Sequence, residues 1–281
     1  MRELTFGSLF AGIGGMDLGL ERSGMRCRWQ VEIDQFCRRV LSKHWPEVPK
    51  YGDIRELTGS ELEAVDLIAG GFPCTDTSNA GDREGIKGEH SGRWFDMLRI
   101  IRVVRPRFVL VENVPGLLSR GMGTVLGNLA EIGYDAEWQS IPASAVGAKH
   151  GRLRVFIVAY PGGARQTQPE QTAARRECDG RWNAADCGGS EVAVADTDVS
   201  RLEGNLRSIL ADQQSFARHA ARCRGAFSGI ADRQDGASQS WILRSVHGIP
   251  DRAHRVRTLG NAVVPQVAEW IGHQIMEAAR A

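Results

Sequence analysis

From residue 4 to residue 160, short apolar runs of strand length alternate with stretches whose apolar positions recur at helical spacing. The runs predict strands over residues 4–10, 28–33, 66–70, 108–112, 137–142 and 154–159. Between them the spacing predicts helices over 15–22, 35–44, 94–104 and 121–132. Strands that alternate with helices read as an α/β fold with a mixed, mainly parallel sheet, because parallel neighbours need a crossover long enough to hold a helix.

After Tyr160 the pattern stops. Residues 161–245 are rich in Ala, Arg, Gly, Gln and Asp, contain no lysine, and hold few apolar runs able to make strands. Regular patterning resumes at Ile249, and Gly260, Asn261 and Pro265 lead into an amphipathic helix over 265–280. The expected organisation is one domain made of 1–160 and 246–281, interrupted by a second, smaller domain at 161–245.

The composition, with 42% hydrophobic and 25% charged residues in 281, is that of a globular chain, and excludes disordered and fibrous classes. No run approaches the roughly 20 apolar residues of a membrane span, and the N-terminus lacks a signal pattern, so no membrane partner and a cytoplasmic location are expected. The six cysteines form no C-x-x-C pair and have no histidine at local zinc spacing, so no metal site is expected and the thiols read as reduced. A net charge of +1 decides nothing about nucleic acid.

The chemistry sits at the predicted strand ends. The first strand runs into Phe10-Ala11-Gly12-Ile13-Gly14-Gly15, glycines placed where a backbone turns tightly and approaches a ligand. Glu32 follows twenty residues after Gly12 at the end of the second strand, where a carboxylate can accept from both ribose hydroxyls of a nucleoside cofactor. A structural turn and a surface acid remain the bland alternative. Asp53-Ile54 at the next strand-like position suits an adenine amino group and ring face.

Gly70-Gly71-Phe72-Pro73-Cys74 puts a cysteine just past a strand end, and Glu112-Asn113-Val114 puts a carboxylate at the end of another. A lone cysteine is more often an inert core residue. A thiolate beside a carboxyl acid, however, can add across a conjugated ring. Residues 75–92, polar and glycine-rich, read either as a closing loop or as ordinary surface.

The ordered set FAGIGG, VEID, GDI, GFPC, ENV, GRLRVFIVA and LGNAVVP resembles the DNA cytosine-5 methyltransferase family, in family order over about 200 residues. The resemblance implies a Rossmann-like S-adenosylmethionine-dependent domain with residues 161–245 as target-recognition domain. It implies Cys74 as nucleophile, Glu112 as its acidic partner, and Arg152 and Arg154 as holders of the target cytosine. Phe10, Ala11, Gly12, Gly14, Gly15, Glu32, Ile33, Asp53, Ile54, Pro73, Asn261 and Val263 would form the cofactor pocket, with S-adenosylhomocysteine as product. Double-stranded DNA is the implied partner, a monomer the implied state, and a cognate restriction endonuclease a partner the resemblance allows.

Three departures stand out. Thr75 replaces the usual Gln after Pro-Cys, Asp76 and Thr77 replace the common flanking residues, and His150 stands where the paired-arginine segment normally begins with Gln. Residues 161–245 carry eleven arginines and eleven acids, and Arg222 and Arg224 are candidates for guanine or phosphate contacts. An RNA cytosine-5 methyltransferase and a catalytically silent DNA-binding relative are the alternative readings.

Overall fold

The computed structural model describes residues 3–73, 92–162 and 252–280. Cys74, the loop through residue 91 and nearly all of the expected recognition domain lie outside the described residues.

Seven strands form one sheet in the order β3-β2-β1-β4-β5-β7-β6. They are β1 (Thr5–Leu9), β2 (Arg26–Val31), β3 (Lys50–Tyr51), β4 (Leu67–Gly70), β5 (Phe108–Asn113), β6 (Tyr134–Pro142) and β7 (Leu153–Pro161). The first five run parallel, whereas β7 is antiparallel to both β5 and β6. The expected mixed, mainly parallel sheet is therefore observed.

Helices cover both faces: α1 (Gly15–Arg22), α2 (Gln35–His44), α3 (Arg93–Val104), α4 (Leu117–Arg120), α5 (Met122–Glu131), α6 (Arg252–Asn261) and α7 (Pro265–Ala278). Alternate strand residues feed two separate cores, as the two-residue period of a strand requires. Phe108, Leu110, Phe156 and Val158 join α1 and α7 on one face. Val109, Val111, Val155 and Ile157 join α3 and α5 on the other.

Helices α1 and α7 pack in close contact. A Cβ on Gly19 would stand 2.3 Å from the Pro265 carbonyl and 2.6 Å from the Ala268 Cβ, and one on Gly272 would stand 2.3 Å from the Ser23 hydroxyl. Small residues on both helices let their backbones meet, so the C-terminal segment packs directly on the first crossover helix. Its loop thereby reaches the ends of β1 and β2.

Three pieces were invisible to patterning. Strand β3 has only two residues and helix α4 only four, too few to show a period. Helix α6, with Arg, His, Thr and Gly along it, has little apolar character from which to predict it.

Candidate active site

In an open α/β sheet, ligands bind beyond the carboxyl ends of the strands where the strand order reverses, here between β1 and β4. A cavity of about 500 Å³ lies at that place, within the range that encloses a nucleoside-sized ligand. Its wall is built from the ends of β1, β2, β4 and β5 and from the α6 segment. Because β7 runs the opposite way, its first residues come to the same end of the sheet, with Val155 facing Asn113 and Phe156 facing Glu112. Arg152 and Arg154 thereby reach the cavity.

The turn after β1 is held open by unusual backbone. Phe10 has φ 54°, a left-handed conformation costly for an aromatic residue, and Gly12 has φ 57° with nothing within 4 Å of where a Cβ would be. Ala11 donates to the Val31 carbonyl at 3.1 Å, which ties this turn to the end of β2. Phe10, Ala11, Gly12 and Gly15 line the cavity. Gly14 does not; a Cβ there would meet Trp45 and Leu41.

Glu32 is fixed from both sides. Its Oε2 accepts from the Gly12 amide at 2.7 Å and its Oε1 from the Asp34 amide at 2.8 Å. Burial raises its pKa above the ordinary carboxylate range, against these two amides, which lower it. Each oxygen keeps a lone pair for a further donor. Ile33 beside it lies in the cavity wall and is 61% exposed, an apolar face open to a ligand. Arg38 donates to the Glu32 carbonyl at 2.8 Å and so fixes this corner from α2.

Glu112 ends β5 as a buried carboxyl, with the Arg154 Nε 3.0 Å from its Oε1. Burial raises its pKa, and Arg154 and then Arg152 pull it partly back. Burial thus favours the protonated form of this acid, and the two arginines beside it favour the ionised one. A Cβ on Gly71 would come 2.6 Å from the Glu112 Oε2, so a side chain at this residue would push the Glu112 carboxyl aside. Asn113 donates to the Phe72 carbonyl at 3.3 Å, which fastens that same approach to β5. Pro73, the last described residue before Cys74, lines the cavity.

Arg152 and Arg154 differ in what they hold. Arg152 precedes β7 and donates to the carbonyls of Gly260 and Asn261 at the end of α6, where a cation satisfies orphan carbonyls. Helix α6 is fastened at its other end by His254, whose Nε2 lies 2.7 Å from the Asp34 Oδ2. His254, Arg257, Thr258 and Asn261 form one helical face against the cavity, followed by Val263. Asn261 and Val263 were expected there. The others were not, although their i, i+3, i+4, i+7 spacing was present in the sequence.

Asp53 and Ile54 stand apart from the cavity wall. Ile54 is buried in the core, and both Asp53 oxygens accept from Arg55. Cys37 lines the cavity, but burial pushes its thiol up to about 12, which keeps it protonated and unreactive.

Beneath the cavity floor lies a buried acid that patterning missed. Asp17, in the first turn of α1, accepts from the Ser8 hydroxyl at 3.0 Å and from Gln30 Nε2 at 2.8 Å, and all three residues are buried. Burial pushes its pKa up to about 6 from an ordinary 3.8. The folded chain therefore binds this proton more tightly than the unfolded chain. The stability so contributed is fully present below about pH 3.8 and is lost as pH rises through 6. Asp17→Asn removes that loss, and the unpartnered Gln30 Oε1 can accept from the new amide after a flip of the Gln30 side chain. The stability of the variant relative to the parent is expected to grow by about 2–3 kcal/mol between pH 4 and pH 8, read by urea unfolding at the two pH values. A constant difference would show that the carboxyl is not strained by burial.

A parallel sheet closed by an antiparallel strand between its fifth and sixth members, with a glycine turn after β1 and an acid after β2, defines a Rossmann-like methyltransferase domain. The model of the C-5 cytosine-specific DNA methylase family matches residues 4–220, and the chain belongs to that family. The type II methyltransferase M.BsuFI of Bacillus subtilis is 36% identical over 56% of this chain and 39% of its own length. M2.BsuMI of Bacillus subtilis strain 168 is 39% identical over 54% of this chain and 41% of the relative. The type II methyltransferase M.CviJI of Paramecium bursaria Chlorella virus IL3A is 31% identical over 74% and 57%. The matches to the two bacterial proteins thus span about two fifths of those relatives. Among the described residues no helix is long and apolar enough to cross a membrane.

Proposed function

We propose that this protein transfers a methyl group from S-adenosylmethionine to carbon 5 of a cytosine in double-stranded DNA. The observation that carries the reading is the buried Glu112 carboxyl, paired with Arg154, in the same cavity wall as Pro73, the residue before Cys74.

The cavity suits the cofactor on chemistry that this chain supplies. Glu32 offers two fixed carboxylate oxygens to ribose hydroxyls, Ile33 an exposed apolar face to adenine, and the bare Gly12 room for close backbone approach. Phe10, Ala11, Gly15, Asn261 and Val263 complete that wall. S-adenosylmethionine, when bound, supplies an electrophilic methyl group on a sulfonium centre and leaves as S-adenosylhomocysteine.

Carbon 5 of cytosine is a poor nucleophile, and addition of the Cys74 thiolate to carbon 6 raises its electron density. Protonated Glu112 donates to ring N3 as the thiolate adds, so the charge pushed into the ring is neutralised as it forms. Arg154 then holds the resulting carboxylate. Arg152 braces α6, and with it the C-terminal wall of the cofactor site. After methyl transfer, N3 returns its proton to Glu112, the carbon 5 proton passes to water, and expulsion of Cys74 as thiolate restores the aromatic ring. The base must leave the stack for any of this, at a cost of a few kcal/mol that contacts from residues 161–245 help to offset. The type II names of the relatives support a partner endonuclease with the same site.

The test is incubation with tritiated S-adenosylmethionine and mixed-sequence duplex DNA, beside Cys74→Ser and a tube of total RNA. Label is expected in DNA as 5-methylcytosine, with a covalent adduct on 5-fluorocytosine DNA that Cys74→Ser abolishes. Label in RNA alone would overturn the substrate and keep the mechanism. No label in either would favour a silent binding protein.

A further inference from the structure

The acids around the cavity differ in how they are compensated. Glu112 is matched by Arg154, and Asp34 lies 2.7 Å from the His254 Nε2. Glu32 is held by two backbone amides. Asp17 is wholly buried, and the side chains that hold it, Ser8 and Gln30, are both neutral. Among the described residues no cation pairs with it.

A buried carboxylate held by neutral donors is costly, and a hydrophobic or amide side chain at that position would stabilise the fold. Its place gives a reason for keeping it. Ser8, whose hydroxyl donates a hydrogen bond to Asp17, itself lines the cavity, so the carboxylate lies one hydrogen bond behind the floor. Asp17 also joins the three elements that shape this floor: β1 through Ser8, β2 through Gln30, and the start of α1. A negative charge there, shielded from water by Ser8 and the strands, acts on whatever occupies the cavity through a medium of low effective dielectric.

We propose that the Asp17 carboxylate is a positioning charge that favours the cationic, sulfonium form of the cofactor over its neutral thioether product. This rests on the cavity being the S-adenosylmethionine site. Methyl transfer removes one positive charge from the cofactor and leaves its adenosine and amino-acid parts unchanged. A fixed charge behind the floor then loosens its hold at the moment the reaction is complete, while Glu32 and Ile33 grip substrate and product alike. Asp17 thereby sorts the two by charge.

Calorimetric titration of the parent protein, Asp17→Asn and Asp17→Ser with S-adenosylmethionine and separately with S-adenosylhomocysteine tests this. Both variants remove the charge and keep a polar group for Ser8 and Gln30, so failure of one to fold leaves the other. The expected result is S-adenosylmethionine affinity about five- to tenfold weaker in the variants, the scale of a unit charge acting across about 12–17 Å at an effective dielectric of about 20. S-adenosylhomocysteine affinity is expected to stay within about twofold, since its sulfur carries no charge and its ammonium and carboxylate charges oppose one another. Equal weakening of both ligands would make Asp17 merely structural, and no weakening of either would remove it from binding; each overturns the inference while leaving the cofactor site intact. Binding of neither ligand to the parent would overturn the cofactor reading and this inference with it.

Discussion

Replacing Glu112 by Gln is expected to lower the single-turnover rate of methyl transfer by roughly 10²–10⁴-fold, the range that a positioned general acid contributes. Gln keeps the volume of the side chain and still offers an oxygen to Arg154, so the 3.0 Å contact has a successor and the fold is kept. What Gln lacks is a proton to give to the ring as the thiolate adds. Affinity for S-adenosylhomocysteine is expected to change little, because Glu32 and Ile33 at the end of β2 carry that binding in the proposed reaction. Rate and affinity therefore separate in one variant. A rate loss below about tenfold would remove Glu112 from proton transfer.

Gly19→Val is expected to cost about 3 kcal/mol or more, because the new Cβ falls on backbone and cannot be relieved by a rotamer change. It would stand 2.3 Å from the Pro265 carbonyl, 2.6 Å from the Ala268 Cβ and 2.8 Å from the Glu269 amide, so α7 has to move away from α1 as a unit. The loop at Asn261 and Val263, which lines the cavity, leads directly into α7. Cofactor binding should therefore fall together with stability. Gly127→Ala is the contrast within one urea-unfolding series: it lies inside α5 with nothing within 4 Å of a new Cβ. There the variant should gain about 0.5–1 kcal/mol from helix propensity alone. A Gly19 variant as stable as the parent would show that the two helices slide past each other without strain.

Most of the sheet was legible because each strand has one apolar residue in two for each core, or an unbroken apolar run, and the runs are long enough to show it. The five longest observed strands overlap predicted runs, and β4 does as well, at Leu67–Gly70 against the predicted 66–70. The expected helix over 121–132 is observed as α5, Met122–Glu131, and the four-residue α4 that ends before Gly121 is a separate element outside the predicted range. Strand β3 and helix α6 escaped for opposite reasons, one too short for a period and the other too polar. Of the expected site residues, Glu32, Glu112, Arg152 and Arg154 were visible from their motifs and line one cavity. Asp53 accepts from Arg55, Ile54 joins the core, and Gly14 backs onto Trp45 and Leu41. The reading of residues 161–245 as a recognition domain, and of Cys74 as nucleophile, falls outside the described residues and stands as part of the proposal.

Sequence alone determined the class of fold and the presence of an acid at each of two strand ends, since both follow from local periodicity and from short motifs whose order is carried by the chain. Tertiary structure decided which of the chain's acids meets a cation and which is held by neutral groups. Glu112 meets Arg154 only because β7 turns back against β5, across more than forty residues of chain. Asp17 meets Ser8 and Gln30 only because β1, β2 and α1 close on one point. Charge compensation depends on distances through space and on exclusion of water, and neither is a property of neighbours along a chain.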